Sequence, residues 1–161
     1  MAAYLVDGLI TAAATTYKSG GLVYASTTNG SSLRRGKLYE FLMGASSLPN
    51  ATDCAIEYDI TRITATTTLA GTSTVVPNVL DIADLATPAA ASFVTLTTEP
   101  TALGTGPVFS VALNQRNSQR WQVVDESQMI VWPATQGNGL TARALSTTYA
   151  GSVITAFSFR E

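Results

Sequence analysis

The chain has 161 residues, enough for one domain with its own core. Only 12% of them are charged and the net charge is −2, against roughly 25% charged residues in ordinary soluble domains. Such a balance gives no general electrostatic hold on nucleic acid. Absence of histidine removes Ser-His-Asp and Cys-His catalysis and imidazole metal sites.

In chain order, MAAYLVDGLITAAATTY lacks the basic start of a signal peptide, and Asp7 breaks its apolar run. Nowhere does the chain offer the ~20 apolar residues that a spanning helix needs, so no membrane partner is expected. GLVYAST is the first strand candidate, with Leu22 and Tyr24 on one face. Asn29-Gly30 signals a turn. LRRGKLYEFLMG is the one patch with room for a short helix, although Gly36 weighs against it. AIEYDITRI alternates cleanly, with Ile56, Tyr58 and Ile60 on one side and Glu57, Asp59 and Thr61 on the other, which predicts a half-buried strand.

Residues 64–88 are rich in Thr, Ala and Val, uncharged until Asp81, and too long for an ordinary connection. They read as an extended arm or loop lying against a neighbouring subunit, with Asp81 and Asp84 opening a short helical turn. Six further strand candidates follow. ASFVTLT sets Phe93 against Val94, and PVFSVALNQ puts Phe109, Val111 and Leu113 on one face. SQRWQVV and QMIVWP are short. GLTARAL groups Leu140, Ala142 and Ala144; GSVITAFSF groups Val153, Thr155, Phe157 and Phe159 on one face, with Ile154 and Ala156 on the other. Gly137-Asn138-Gly139 is a turn signal. About eight short strands separated by turns predict an all-β fold, an antiparallel β-sandwich of jelly-roll type, over residues 1–161.

Catalytic and cofactor patterns are missing. There is no Gly-rich phosphate loop, and no cofactor is expected. Cys54 alone builds neither a disulfide nor a zinc site. Glu57 and Asp59 have the spacing of a strand's solvent face rather than of a carboxylate pair flanking a scissile bond. Asp53, Glu57 and Asp59 resemble no EF-hand loop. The chain is therefore not expected to be an enzyme, and attention falls on contacts. Arg34, Arg35 and Lys37 form a basic cluster that either meets an acidic partner or caps a solvated hairpin. Arg116, Arg120 and Trp121 form a second group, of residue types enriched at interface hot spots. The other reading makes Trp121 core and pairs the arginines with Asp125, Glu126 or Glu99.

VYASTTNGSSLRRGKLYEFLMG, CAIEYDITRIT, ALNQRNSQRWQVV, GNGLTARAL and the closing AGSVITAFSFRE resemble, in that order, segments of the head decoration (cement) proteins of tailed bacteriophages. The resemblance covers most of the chain and implies a non-enzymatic virion protein made in the host cytoplasm. Such a protein binds the capsid exterior, commonly as a homotrimer, and clamps the major capsid protein. It implies no active-site residue. The alternative is a carbohydrate-binding jelly roll of a tail fibre or receptor-binding tip, with Trp121, Trp132 or Tyr149 as a stacking platform.

Overall fold

A computed structural model describes residues 2–11, 16–27, 32–64, 71–75, 77–81, 83, 90–96, 98–104 and 106–161. Among them are thirteen strands: β1 (Ala3–Thr11), β2 (Lys18–Ala25), β3 (Gly36–Ala45), β4 (Ala55–Thr64), β5 (Gly71–Val75), β6 (Asn78–Val79), β7 (Ala90–Leu96), β8 (Thr101–Ala102), β9 (Phe109–Asn114), β10 (Ser118–Gln122), β11 (Ile130–Trp132), β12 (Asn138–Leu145) and β13 (Ser152–Arg160). A 3-10 turn, Glu126–Gln128, joins β10 to β11; the Asp125 side chain caps it by accepting from the Ser127 N–H.

The strands form two antiparallel sheets that enclose one core. One runs β10-β3-β13-β1-β6, with β11 on the same strand β3; the other runs β5-β7-β2-β12-β4-β8, with β9 also on β4. β10 and β11 pair with successive stretches of β3, and β9 and β8 with successive stretches of β4, so each couple acts as one edge strand. Setting β5 to β7 aside, the orders become β1-β13-β3-β10/11 and β2-β12-β4-β8/9. That is an eight-strand jelly roll, as predicted. The excess over eight comes from the split edges and from β5, β6 and β7. Within 64–88, β5 and β6 are edge strands: β5 pairs with β7, which lies outside β2, and β6 pairs with β1.

Strand period two explains the core. On β4, Ile56, Tyr58 and Ile60 are buried against the other sheet. β12 contributes Leu140, Ala142 and Ala144, and β13 contributes Val153, Phe157 and Phe159. Thr155 shares that inner face. Aromatic rings meet at the centre, with Phe41 and Phe157 at 5.4 Å, Tyr4 and Phe159 at 5.5 Å, and Trp132 and Phe159 at 5.4 Å.

Two departures from the sequence reading have local causes. LRRGKLYEFLMG holds no helix: Gly36–Ala45 is β3, between β13 and β10/β11. A register shift against β13 skips Tyr39, and Leu38, Phe41 and Met43 are all buried in the core. The resulting apolar spacing of three mimics a helix. β1 was hidden differently. Tyr4, Val6 and Ile10 face the core while Leu5, Asp7 and Leu9 face outward, so Asp7 interrupts an apolar run without interrupting a strand. Asn29-Gly30 and Asp84 lie outside the described residues, as do the side chains of Phe93 and Val94.

Candidate interaction surfaces

Jelly-roll topology sends the predicted basic residues to different places. At one end of the sandwich, β3 begins, and β4 and β11 end. Arg34 and Arg35 precede β3 there and are exposed. Lys37, one residue into β3, is half-buried and pairs with Glu126 at 3.7 Å. Arg35 lines a groove of about 450 Å³ together with Arg62, Val131, Pro133 and Ala134. Arg62 was missed by the sequence reading. It follows the inward-facing Ile56, Tyr58 and Ile60 at the same period, which takes it to the open end of the inner face.

Arg116 lies at the opposite end, in the turn between β9 and β10. Its Nε donates to Asp53 Oδ1 at 2.7 Å, and its Nη2 donates to the Asn50 carbonyl at 3.2 Å. The arginine's hydrogen bond holds the Asp53 carboxyl below its ordinary range. Beneath this pair, Gln115 is buried and ties residues 50–54 together: its amide donates to the Asn50 and Thr52 carbonyls and its Oε1 accepts from the Asn50 N–H. Cys54 is half-buried and donates to the same Oε1 at 3.3 Å. Arg116 is thus absorbed in holding a loop.

Arg120 and Trp121 are neighbours on β10 with opposite faces. Arg120 points outward and pairs with Glu40. Trp121 points inward, half-buried, with its ring 5.8 Å from Phe109. The predicted pairing of Arg116 and Arg120 with Asp125, Glu126 or Glu99 is therefore corrected to Asp53 and Glu40. Both true partners are distant in sequence and are brought close only by strand pairing. The stacking platform of the carbohydrate reading is corrected as well. Trp132 and Tyr149 are buried in the core, and Trp121 packs on it.

Carboxylates on β4 are also committed. Asp59 is buried, not solvent-facing as its strand pattern suggested, and it forms a bidentate pair with Arg143 of β12: Nε to Oδ1 at 2.8 Å and Nη2 to Oδ2 at 2.6 Å. The two residues are cross-strand neighbours in the β4–β12 register. Tyr17 lays its ring 4.7 Å from the Arg143 guanidinium and donates its hydroxyl to Glu57 at 3.0 Å. Glu99, in the connection from β7 to β8, accepts from the Ser19 N–H and hydroxyl. Among the described residues, no group of three or more His, Cys, Asp or Glu side chains is placed to hold a metal ion.

This network carries a pH dependence. Burial, the hydrogen bond to Glu57 and the nearby carboxylates push the Tyr17 hydroxyl from about 10 up to about 12. The unfolded chain therefore loses that proton first as pH rises. Stability is unaffected by Tyr17 below about pH 10 and falls between about 10 and 12. Urea unfolding at stepped alkaline pH should show Tyr17→Phe losing stability more slowly across that window than the parent. Identical slopes would place the ionising group elsewhere, with Tyr24 and Tyr58, both raised by burial, next in line.

The least committed broad surface is the outer face of the sheet containing β1. Registers align Leu9, Ile154 and Gly44 in one row and Asp7, Ala156, Leu42 and Arg120 in the next. Leu5 follows, level with Glu40. Leu9 is 52% exposed and Leu42 39%. Leucine, isoleucine and alanine thus occupy positions where an ordinary solvated sheet alternates to polar residues.

No known protein family matches this chain, and no curated protein matches it.

Proposed function

We propose that this chain is a non-enzymatic structural protein of a phage virion, a capsid decoration protein that binds the outer head surface as a homotrimer. The observation that carries this reading is the apolar outer face formed by Leu5, Leu9, Leu42, Ile154 and Ala156. Contiguous apolar surface on a soluble chain marks a place where something else sits. A sister chain suits it, because interface cores are depleted of charge and the two rows that hold Leu9 and Leu42 carry only Asp7 and Arg120 as charged residues. Three copies then present three identical surfaces to the major capsid protein, and modest individual contacts become firm when engaged together. The sequence resemblance points the same way. The protein would be made in the host cytoplasm and reside on the capsid exterior.

The test is the solution mass by light scattering, for the parent and for a Leu9→Glu/Leu42→Glu double variant, followed by co-sedimentation with undecorated capsids. The parent should be a trimer that sediments with capsids. The variant should keep its far-ultraviolet dichroism, become a monomer and lose most capsid binding. A parent that is monomeric at low micromolar concentration, or a variant that assembles normally, would overturn the role of this face. Failure of the parent to bind any capsid would remove the decoration reading.

A further inference from the structure

A second surface has chemistry that the apolar face does not explain. Arg35 and Arg62 line one groove at the open end of the sandwich, from positions 27 residues apart in sequence, the first just ahead of β3 and the second on β4 of the other sheet. Neither meets an acidic side chain among the described residues, and neither does the adjacent Arg34. Every other described arginine is paired: Arg116 with Asp53, Arg120 with Glu40, Arg143 with Asp59 and Arg160 with Glu126. In a chain with so few charges, two unpaired guanidinium groups sharing one groove constitute an anion-recognition feature. The rest of the lining, Val131, Pro133 and Ala134, is apolar.

We propose that this groove binds an acidic peptide segment, with carboxylates forked by Arg35 and Arg62 and intervening methylene groups on Val131, Pro133 and Ala134. Planar guanidinium forks match carboxylates in bidentate fashion. Phosphate matches them too, but a nucleic-acid strand needs a basic track along its backbone, and the chain's net charge of −2 works against one. An extended peptide needs only two charges at the right spacing and an apolar floor between them. The inference names the chemistry of the contact with the virion partner and rests on the decoration reading only for that partner's identity.

The experiment is fluorescence anisotropy with a labelled peptide of alternating Glu and Leu. Its Gln-for-Glu counterpart and a single-stranded oligonucleotide of equal length serve as comparisons. The acidic peptide should bind in a salt-sensitive manner, and Arg35→Gln/Arg62→Gln should weaken it by about tenfold or more, the scale of losing charge-assisted hydrogen bonds. Arg35→Gln alone, at an exposed position that cannot unfold the sandwich, should give a smaller loss in the same direction. Equal binding of the Gln peptide, tighter binding of the oligonucleotide, undiminished binding by the double variant, or no peptide binding would each overturn the proposal. Peptide binding without capsid binding would leave the groove assignment standing and remove the virion reading instead.

Discussion

Arg143→Ala should destabilise the protein by about 3 kcal/mol, measured by urea unfolding near neutral pH. Asp59 is only 1% exposed, and both of its oxygens are held by the Arg143 guanidinium. Removing the arginine leaves the carboxylate with the Thr61 hydroxyl, at 3.3 Å, as its remaining side-chain partner. Stranding one member of a buried pair costs about 3–5 kcal/mol. The lower end applies because the arginine side chain is 22% exposed, so water can reach the vacated space. Loss of the contact with the Tyr17 ring adds in the same direction.

The double variant Asp59→Leu/Arg143→Leu separates the cost of stranding a charge from the worth of the pair. It should recover most of the loss, because an apolar replacement of both partners strands nothing. A loss below about 1 kcal/mol in Arg143→Ala would mean that solvent screens the pair as it does a surface bridge. The same geometry bears on function. With Asp59 held by Arg143 and Glu57 accepting from Tyr17, the two β4 carboxylates are engaged with the chain's own residues and do not face each other across an open cleft.

How far the fold was legible depended on whether a strand was regular. On β4, β9, β12 and β13 the core-facing residues recur at every second position, and the sequence reading assigned each inner face correctly, although Asp59 and Thr61 on the other side of β4 are buried as well. On β3 the bulge at Tyr39 changes the phase, so a central strand carries the apolar spacing of a helix. β2 has a similar shift, at Gly20, against Ala142 and Arg143 of β12. Bulges are set by pairing with another strand, which no local window contains. Sites follow the same logic. The cluster of Arg34, Arg35 and Lys37 was visible as a run, but its partner Arg62 joins it only through the jelly-roll connection. The pairing of Arg116 with Asp53 spans 63 residues for the same reason. Of the apolar outer face, only the pair Ile154 and Ala156 on β13 was legible. The face consists of alternate residues from β1, β3 and β13, each unremarkable until the register sets them in rows.

Gly8→Ala should cost more than about 3 kcal/mol and is expected to leave little folded protein at ordinary expression temperature. Gly8 lies on β1 in one sheet and Gly20 on β2 in the other, and a methyl group built on Gly8 would sit 2.1 Å from the Gly20 carbonyl oxygen and 2.6 Å from its carbon. Both obstacles are backbone, so no side-chain rotation relieves them, and the sheets must separate. Overpacking a core usually costs about 1–3 kcal/mol through side-chain adjustment, and more when that route is closed. Gly20→Ala provides the contrast. Its methyl would approach Thr155 Oγ1 at 2.8 Å and Ile10 Cγ1 at 2.9 Å, both side-chain atoms that can shift. Its loss should therefore be about 1–2 kcal/mol. The order of the two variants in urea unfolding is the decisive readout. A larger loss at Gly20, or equal losses, would mean that β1 and β2 can move apart cheaply and that close backbone approach is not what fixes the sheets at this corner. A much larger loss at Gly8 would establish that the sandwich is pinned where β1 passes over β2. That corner adjoins the added strand β7, which pairs with β2 from Gly21 onward, so widening it should also release β7, detectable as faster amide exchange there in the surviving folded fraction.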